Sequence, residues 1–268
     1  MYAKSIDMRG TVWVCSYNPK KKGDTPVRGL FLALFASVSI AAGAGSDHQT
    51  DLIPTPSGPV AITFLGHGTL MIVHRGTTLH IDPWGKVADY GTLPKGDIVL
   101  VTHHHGDHLD PAAITLIAKG STRILASAKA AESLQGATPM KNGDTLRIGE
   151  TTVTAVPAYN LVNKRENGQP FHPRGEGNGY VITIAGLKIY VAGDTENTPE
   201  MKKLTGIDVA FLPMNLPYTM TPAMVADAAQ AFRPRILYPY HFGETDTALL
   251  LELMKGVKGV EIRMRAMK

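Results

Sequence analysis

Cysteine is nearly absent from this sequence: Cys15 is the single one among 268 residues, and it lies near the N-terminus. The rest of the chain therefore has no disulfide framework, no thiolate ligand for zinc and no cysteine nucleophile. Beyond residue 45 there is no excess of one charge either. Of the 27 basic and 23 acidic residues, six and two fall within positions 1–45, which leaves 21 of each. A body without net charge lacks the basic stripe that nucleic acid requires, so nucleic acid is not expected as a partner.

The apolar run at residues 29–42 is too short for a membrane span, which needs about 20 residues. It follows Arg28 and precedes Ala42-Gly43-Ala44, small residues of the kind that a signal peptidase reads. We therefore predict that residues 1–45 form an N-terminal extension and signal peptide. The mature protein would be exported, to the periplasm or beyond, with no stable membrane span. A buried core helix or an N-terminal anchor is the alternative.

The body shows one pattern twice. Residues 46–59 read as a polar, proline-marked lead-in, and the folded domain is predicted over 60–268. Residues 68–82 and 179–194 each read as a strand, a glycine turn, a second apolar strand and a terminal aspartate. The repetition suggests two related halves.

Strands then alternate with helices. Residues 97–102 are apolar in the way of a strand buried on both faces, and residues 235–240 form a further strand. Helices are predicted over 111–119, 222–232 and 246–254. This order predicts an α/β architecture with sheets inside and helices outside. Function is then expected on the loops that leave the strand ends.

The chemistry concentrates in residues 102–108, Thr-His-His-His-Gly-Asp-His, which follow the buried strand. Alternate residues of an extended segment point the same way, so His103 and His105 would face one point and His104 another. Asp107 and His108 would turn back toward a neighbouring point. Imidazoles and a carboxylate without thiolate suit zinc or a similar divalent metal.

This H-x-H-x-D-H motif resembles the signature of the metallo-β-lactamase superfamily. Two later motifs follow in that family's order, Gly193-Asp194-Thr195 and Pro239-Tyr240-His241-Phe242-Gly243. The resemblance covers roughly residues 60–265. It implies the four-layer αββα sandwich of that fold and two divalent metal ions as cofactors, Zn²⁺ being expected and Mn²⁺ or Fe²⁺ the alternatives.

The resemblance also implies which side chains bind the ions. Carried over by position, the ligands are His103 and His105 with a further histidine at the first metal, Asp107, His108 and His241 at the second, and Asp194 between both. The histidine that the family usually has near residue 158 is missing, and Tyr159-Asn160 stand there. We expect His172 to complete the first site from its loop. Otherwise His172 is a surface histidine, and water or Asn160 fills the gap.

Further motifs resemble one branch of the superfamily, that of the L-ascorbate-6-phosphate lactonases and the N-acyl-phosphatidylethanolamine phospholipase D enzymes. These motifs are Gly66-His67-Gly68-Thr69 and Ile81-Asp82-Pro83-Trp84. His67 is expected near the metals as a proton donor or behind the ligands, with a place in the hairpin core as the alternative. Asp82 is expected to orient a ligand, unless it is an ordinary strand-end carboxylate. The residues expected to line the substrate pocket are Tyr159, Asn215 and Tyr218.

The predicted function is hydrolysis of an ester, lactone, amide or phosphodiester by a hydroxide held between two metals, with Asp107 orienting the attacking water. The substrate would be a small molecule, and a homo-oligomer is an option. Alternatives are a β-lactamase-type amide hydrolase and a metal-binding protein without turnover. Di-iron oxidoreductases of this fold resemble H-x-E-x-D instead, and His105 at the glutamate position argues against them.

Overall fold

In the part of the chain that the structure describes, two mixed β-sheets of seven strands each form the framework. The structure, a computed structural model, describes residues 48–267, which belong to a compact unit beginning at Ser46. The predicted signal lies outside the described residues. The first sheet consists, in spatial order, of β1 (Thr50–Ile53), β2 (Val60–Gly66), β3 (Thr69–His74), β4 (Thr77–Ile81), β5 (Ile98–Val101), β6 (Arg123–Ser127) and β7 (Thr138–Met140). The second consists of β8 (Thr145–Ile148), β9 (Thr151–Ala158), β10 (Gly177–Ile184), β11 (Leu187–Val191), β12 (Val209–Pro213), β13 (Ile236–Tyr240) and β14 (Glu261–Ile262).

The two sheets share one topology. In each, the first four strands pair antiparallel and the last four pair parallel. The two hairpins predicted from the repeated pattern are β3–β4 and β10–β11. Both turn through two residues of positive φ, Arg75 (48°) and Gly76 (84°) in one, Ala185 (53°) and Gly186 (80°) in the other. Such turns match the right-handed twist of paired strands.

Over residues 48–267, five short helices cover the sheets: α1 (Pro111–Ile117), α2 (Ala128–Ala131), α3 (Pro199–Lys202), α4 (Pro222–Phe232) and α5 (Thr247–Leu253). Local capping sets where the main ones begin. Asp110 accepts from the amides of Ala112 and Ala113, and Pro111 occupies the first turn of α1. Thr221 caps α4 in the same way, again ahead of a proline. Both caps satisfy amides that lack a partner within the helix.

The layers follow from which faces are buried. The largest hydrophobic core holds side chains of both sheets, such as Ile72 and Leu79 of the first with Ile182 and Ile189 of the second. The same core continues to the apolar face of α4. A second cluster joins α1 to the outer face of β5 through Ile114 and Val101 among others. Helices therefore lie outside two facing sheets, and the predicted αββα sandwich is confirmed.

The fold begins earlier than the sequence predicts. The expected lead-in, residues 46–59, contains β1, which pairs antiparallel with β2 from Thr50 to Ile53. The strand has only four residues and is followed by Pro54 and Pro56, so the sequence pattern does not reveal it. Its inward residue, Ile53, is 1% exposed. Within residues 48–267, no helix is long and apolar enough to cross a bilayer.

Candidate metal centre

The predicted ligands meet at one edge of the sandwich, where several strands end. The segment His103–His108 follows β5, Asp194 follows β11 and His241 follows β13. Parallel strands present their carboxyl ends at the same sheet edge, so residues distant in sequence converge there. β5 and β13 are buried along their whole length and β11 is buried apart from Lys188, which gives the loops a rigid base.

The Asp194 carboxylate lies at the centre of the cluster. Its Oδ2 atom is 3.2 Å from His172 Nε2, 3.4 Å from His241 Nε2 and 3.9 Å from His103 Nε2. Its Oδ1 atom is 3.4 Å from His108 Nε2. Asp194 is 5% exposed, so four imidazoles surround a carboxylate that has little access to water.

Several of these buried atoms have no hydrogen-bond partner within the described part of the chain. They are His103 Nε2, His108 Nε2, His241 Nε2 and Asp194 Oδ1. Leaving a buried polar atom unpaired costs about 1–3 kcal/mol, and such atoms in native proteins call for a specific partner. Four lone-pair-bearing atoms that face one another fit a cation. The residues present therefore suit the divalent ions that the donor set implies.

Ligand atoms fall into three groups, each within 4.8 Å. One group is His103, His105 and His172; another is His103, His108 and Asp194; the third is His67, Asp107, His108 and His241. The structure thus brings His172 beside His103 and His105, where the sequence argument expects a third histidine. His104 lies outside all three groups, as the alternation predicts.

Hydrogen bonds to Asn160 hold His172 in place. Asn160 Oδ1 accepts from the His172 amide at 2.7 Å and lies 2.9 Å from the ring atom Nδ1. Since the amide oxygen can only accept, Nδ1 carries the proton and Nε2 is left free to face Asp194. The buried carboxylate of Glu196 fixes the start of the same loop, accepting from the amides of residues 161, 162 and 163 at 2.7–2.8 Å and from the Asn160 side chain at 3.1 Å.

Asp82 holds His108 from behind. Its Oδ2 atom is 2.8 Å from His108 Nδ1, and Oδ1 accepts from the Thr102 amide at 2.7 Å. The Thr102 hydroxyl donates to Oδ2 at 2.6 Å and lies 3.0 Å from His103 Nδ1. Both Asp82 and His108 are fully buried. The carboxylate sets the His108 ring so that Nε2 points at Asp194.

His67 lies at the rim rather than in the hairpin core. Its Nε2 atom is 3.0 Å from Asp107 Oδ2, and its ring is 3.7 Å from the His241 ring and 4.9 Å from Trp84. The His241 amide also donates to the His67 carbonyl at 3.0 Å. The turn after β2 is therefore tied to the loop after β13 on both the backbone and the ring.

The charges of the cluster are strongly coupled. Burial opposes the charged form of His108, yet Asp194 and Asp82 raise its pKa to about 9. Burial also opposes the charge of Asp194, but His241 and His108 hold its pKa well below the usual range. Burial, aided by His172, lowers the pKa of His105 to about 4. An ionised carboxylate and a neutral imidazole are the forms that bind metals, so Asp194 and His105 have the binding form near neutral pH, whereas His108 would release a proton when a cation binds.

A cleft of about 580 Å³ opens onto this cluster. Of the residues expected to line it, Asn215 and Tyr218 do so. The expectation for Tyr159 is wrong, because its ring is buried and its hydroxyl donates to Glu200 at 2.9 Å. Arg165 and Phe171 also line the cleft and were not predicted from the sequence. Glu196 was not predicted either, although a carboxylate two residues after Asp194 was a visible signal.

With this geometry, comparison with known proteins identifies the class. The family model for the beta-lactamase superfamily domain matches residues 61–241, and the chain belongs to the metallo-β-lactamase superfamily. A UPF0173 metal-dependent hydrolase from Koribacter versatilis is 34% identical in an alignment of 197 positions that covers 68% of this chain and 84% of the relative. Another from Methanopyrus kandleri is 31% identical in an alignment of 193 positions, with coverage of 68% of this chain and 84% of the relative.

Solved structures agree on the fold. A Parabacteroides distasonis protein named a metal-dependent hydrolase shares 46% identity with a TM-score of 0.79, covering 82% of this chain and all (100%) of that one. Igni18, a metallo hydrolase from Ignicoccus hospitalis, shares 21% identity with a TM-score of 0.62 over 76% of this chain and 94% of that one. The relatives are thus named as metal-dependent hydrolases.

Proposed function

We propose that this protein hydrolyses an ester, lactone, amide or phosphodiester with the help of two divalent cations, zinc being expected. The donors are imidazole nitrogens and carboxylate oxygens, which suit Zn²⁺. His103, His105 and His172 would hold the first ion; Asp107, His108 and His241 would hold the second; Asp194 would contact both. A pair of such cations would lower the pKa of a shared water to near 7 and polarise the scissile oxygen.

The chain's own residues supply positioning and proton transfer. Asp82 and Asn160 fix the rings of His108 and His172, so little reorganisation is needed when substrate binds. His67 shares a hydrogen bond with Asp107, which lines the cleft, and would give a proton to a leaving group. Asp194 itself is buried, and burial strengthens the electrostatic interactions that its carboxylate makes.

One observation carries the proposal: within residues 48–267, the buried Nε2 atoms of His103, His108 and His241 lack a hydrogen-bond partner and lie 3.4–3.9 Å from the Asp194 carboxylate, whose Oδ1 atom also lacks one. A catalytic centre with an open cleft above it also fits turnover better than storage of metal. The cleft gives a small molecule access to Asp107 and His241.

A substrate panel tests the proposal. Purified protein is stripped with a chelator, reloaded with Zn²⁺ and assayed on a generic lactone, ester, phosphodiester and β-lactam. We expect at least one activity that the chelator abolishes and Zn²⁺ restores, and that Asp194→Asn lowers by more than about a hundredfold. Asp208→Asn, an aspartate paired with Arg235, is the control and should keep that activity. Full metal loading without turnover of any substrate would instead support a non-catalytic metal-binding protein.

A further inference from the structure

We propose that the cleft recognises a substrate bearing an oxyanion, a carboxylate or a phosphate-type group, remote from the bond that is cleaved, and that Arg165 binds this group. The inference rests on the proposed hydrolase function and narrows its substrate class.

The backbone around Arg165 is fixed. Residues 164–170 form a short turn closed by a β-bridge between Lys164 and Pro170. The Arg165 amide donates to the Gln169 carbonyl at 2.7 Å, and the Gly168 amide donates to the Arg165 carbonyl at 2.9 Å. Glu196 anchors the chain just before this turn, and the contact of His172 with Asn160 anchors it just after. Arg165 is therefore presented from a defined position.

The Arg165 side chain is held but leaves its charge unpaired. The guanidinium lies 5.2 Å from the centre of the Phe171 ring and donates to the Phe171 carbonyl at 3.4 Å. Within residues 48–267 it forms no ion pair with a carboxylate. Arg174 on the same loop differs, because it pairs with Glu200 at 2.6 Å. A guanidinium has five N–H donors in a planar fork, so Arg165 keeps most of them for a ligand.

The location of this free charge gives it a role. Arg165 lines the same cleft as His105, Asp107 and His241. The part of the chain after residue 45 has as many acidic as basic residues, so its net charge does not by itself draw anions to the cleft. Unpaired charge in a concave site concentrates oppositely charged ligands, and the guanidinium fork matches carboxylate and phosphate oxygens.

The neighbouring aromatic rings indicate what the rest of the substrate is like. Phe171 contacts Tyr218 edge to face, with ring centres 5.0 Å apart, and Tyr218 is 45% exposed. These rings line the same cleft as Arg165 and the metal ligands and give it an apolar wall. A small molecule with an apolar body and one terminal oxyanion fits this arrangement.

Matched esters test the inference on the Zn²⁺-loaded protein. They are mono-4-nitrophenyl succinate, which carries a remote carboxylate, its neutral methyl ester, and 4-nitrophenyl 3-phosphonopropanoate, which carries a remote phosphonate. We expect kcat/KM to favour at least one charged ester by about tenfold. Arg165→Ala should remove that preference, mainly through KM, and leave the neutral ester within about twofold. Arg165→Lys should retain part of it. The charged ester that loses more identifies the anion.

Lys164→Ala is the matched control, since it removes one positive charge from the adjacent, exposed position, which does not line the cleft. An equal loss in this variant would show a general field effect and overturn the inference. Equal losses on charged and neutral esters in Arg165→Ala would also overturn it, while leaving the hydrolase proposal intact.

The inference is also testable if the wild type cleaves none of the esters, a result that would count against the proposed function. Monomethyl succinate and methylphosphonate are then titrated calorimetrically into the Zn²⁺-loaded proteins. A roughly tenfold rise in Kd confined to Arg165→Ala supports the anion site. The same Kd in wild type and Arg165→Ala refutes it.

Discussion

Replacement of Glu196 by alanine tests whether one buried carboxylate holds the loop that delivers His172. The carboxylate is 0% exposed and accepts three backbone amides and the side chain of Asn160. Removing it leaves three backbone amides without a partner, while the Asn160 side-chain amide still donates to the Tyr218 carbonyl. At about 1–3 kcal/mol for each orphaned donor, a loop that stayed in place would lose about 3–9 kcal/mol.

The loop can avoid most of that cost by moving. Leu161 and Val162 are 45% and 65% exposed, so water reaches their amides once the segment detaches. We therefore expect a modest loss in the free energy of unfolding, about 2 kcal/mol, together with displacement of His172. The affinity for one of the two ions should fall by about 10–100-fold, the usual effect of losing a group that orients a ligand. The other ion, bound through Asp107, His108 and His241, should stay tight.

Competition with a chromogenic chelator measures the two affinities, and hydrogen exchange over residues 160–172 reports the order of the loop. Glu196→Gln should show metal affinity and hydrogen exchange between those of Glu196→Ala and wild type. The glutamine keeps one oxygen that accepts, but its side-chain NH2 group faces backbone N–H donors. Glu166→Ala removes an exposed carboxylate of the same loop and is the control. If Glu196→Ala holds two ions as tightly as wild type and shows unchanged hydrogen exchange over this loop, Glu196 does not hold the loop that carries His172.

Three further predictions concern the rest of the chain. Although burial opposes its charge, Asp51 has a pKa held below 3.8 by Tyr238 and two arginines. The stability that its charge contributes is present above pH 3.8 and is lost as pH falls through the lowered pKa. Urea unfolding of Asp51→Asn should therefore show a loss of about 2 kcal/mol in the free energy of unfolding at pH 7, and that loss should shrink below pH 4. The methyl group added in Gly68→Ala would lie 2.8 Å from His108 Cε1, whereas the one added in Gly120→Ala meets nothing within 4 Å. The affinity for metal ions should fall about tenfold in Gly68→Ala and stay unchanged in Gly120→Ala. Unchanged metal binding in Gly68→Ala would show that this contact does not position His108. Because the predicted signal is expected to be cleaved, N-terminal sequencing of the mature protein should begin near Ser46, and a start well before it would count against cleavage.

Much of the fold was accessible from the sequence because its signals are local. The turns of both hairpins lie at Gly76 and Gly186, and the helix that begins after Thr221 follows from a cap and a proline. The ligands converge for a simple reason: each follows a buried strand, and parallel strands end at one edge. The predicted ligand positions therefore come together, while the assigned metal-binding roles stay predictions.

The details that sequence reasoning missed depend on contacts distant in sequence. Tyr159 follows a strand end as the ligands do, but its hydroxyl is drawn to Glu200, 41 residues away. Four residues of β1 carry too short an alternation to be recognised beside prolines. The sequence of the loop that carries His172 has no hydrophobic periodicity from which its path could be predicted. Hydrogen bonds to the Glu196 carboxylate and to Asn160 determine that path instead.

Anomalous X-ray scattering at the zinc absorption edge, from crystals of the Zn²⁺-loaded protein, tests the metal centre most directly. The account predicts two strong peaks in contact with Asp194, one beside His103, His105 and His172 and the other beside Asp107, His108 and His241. A single peak, or peaks that lie away from Asp194, would contradict it.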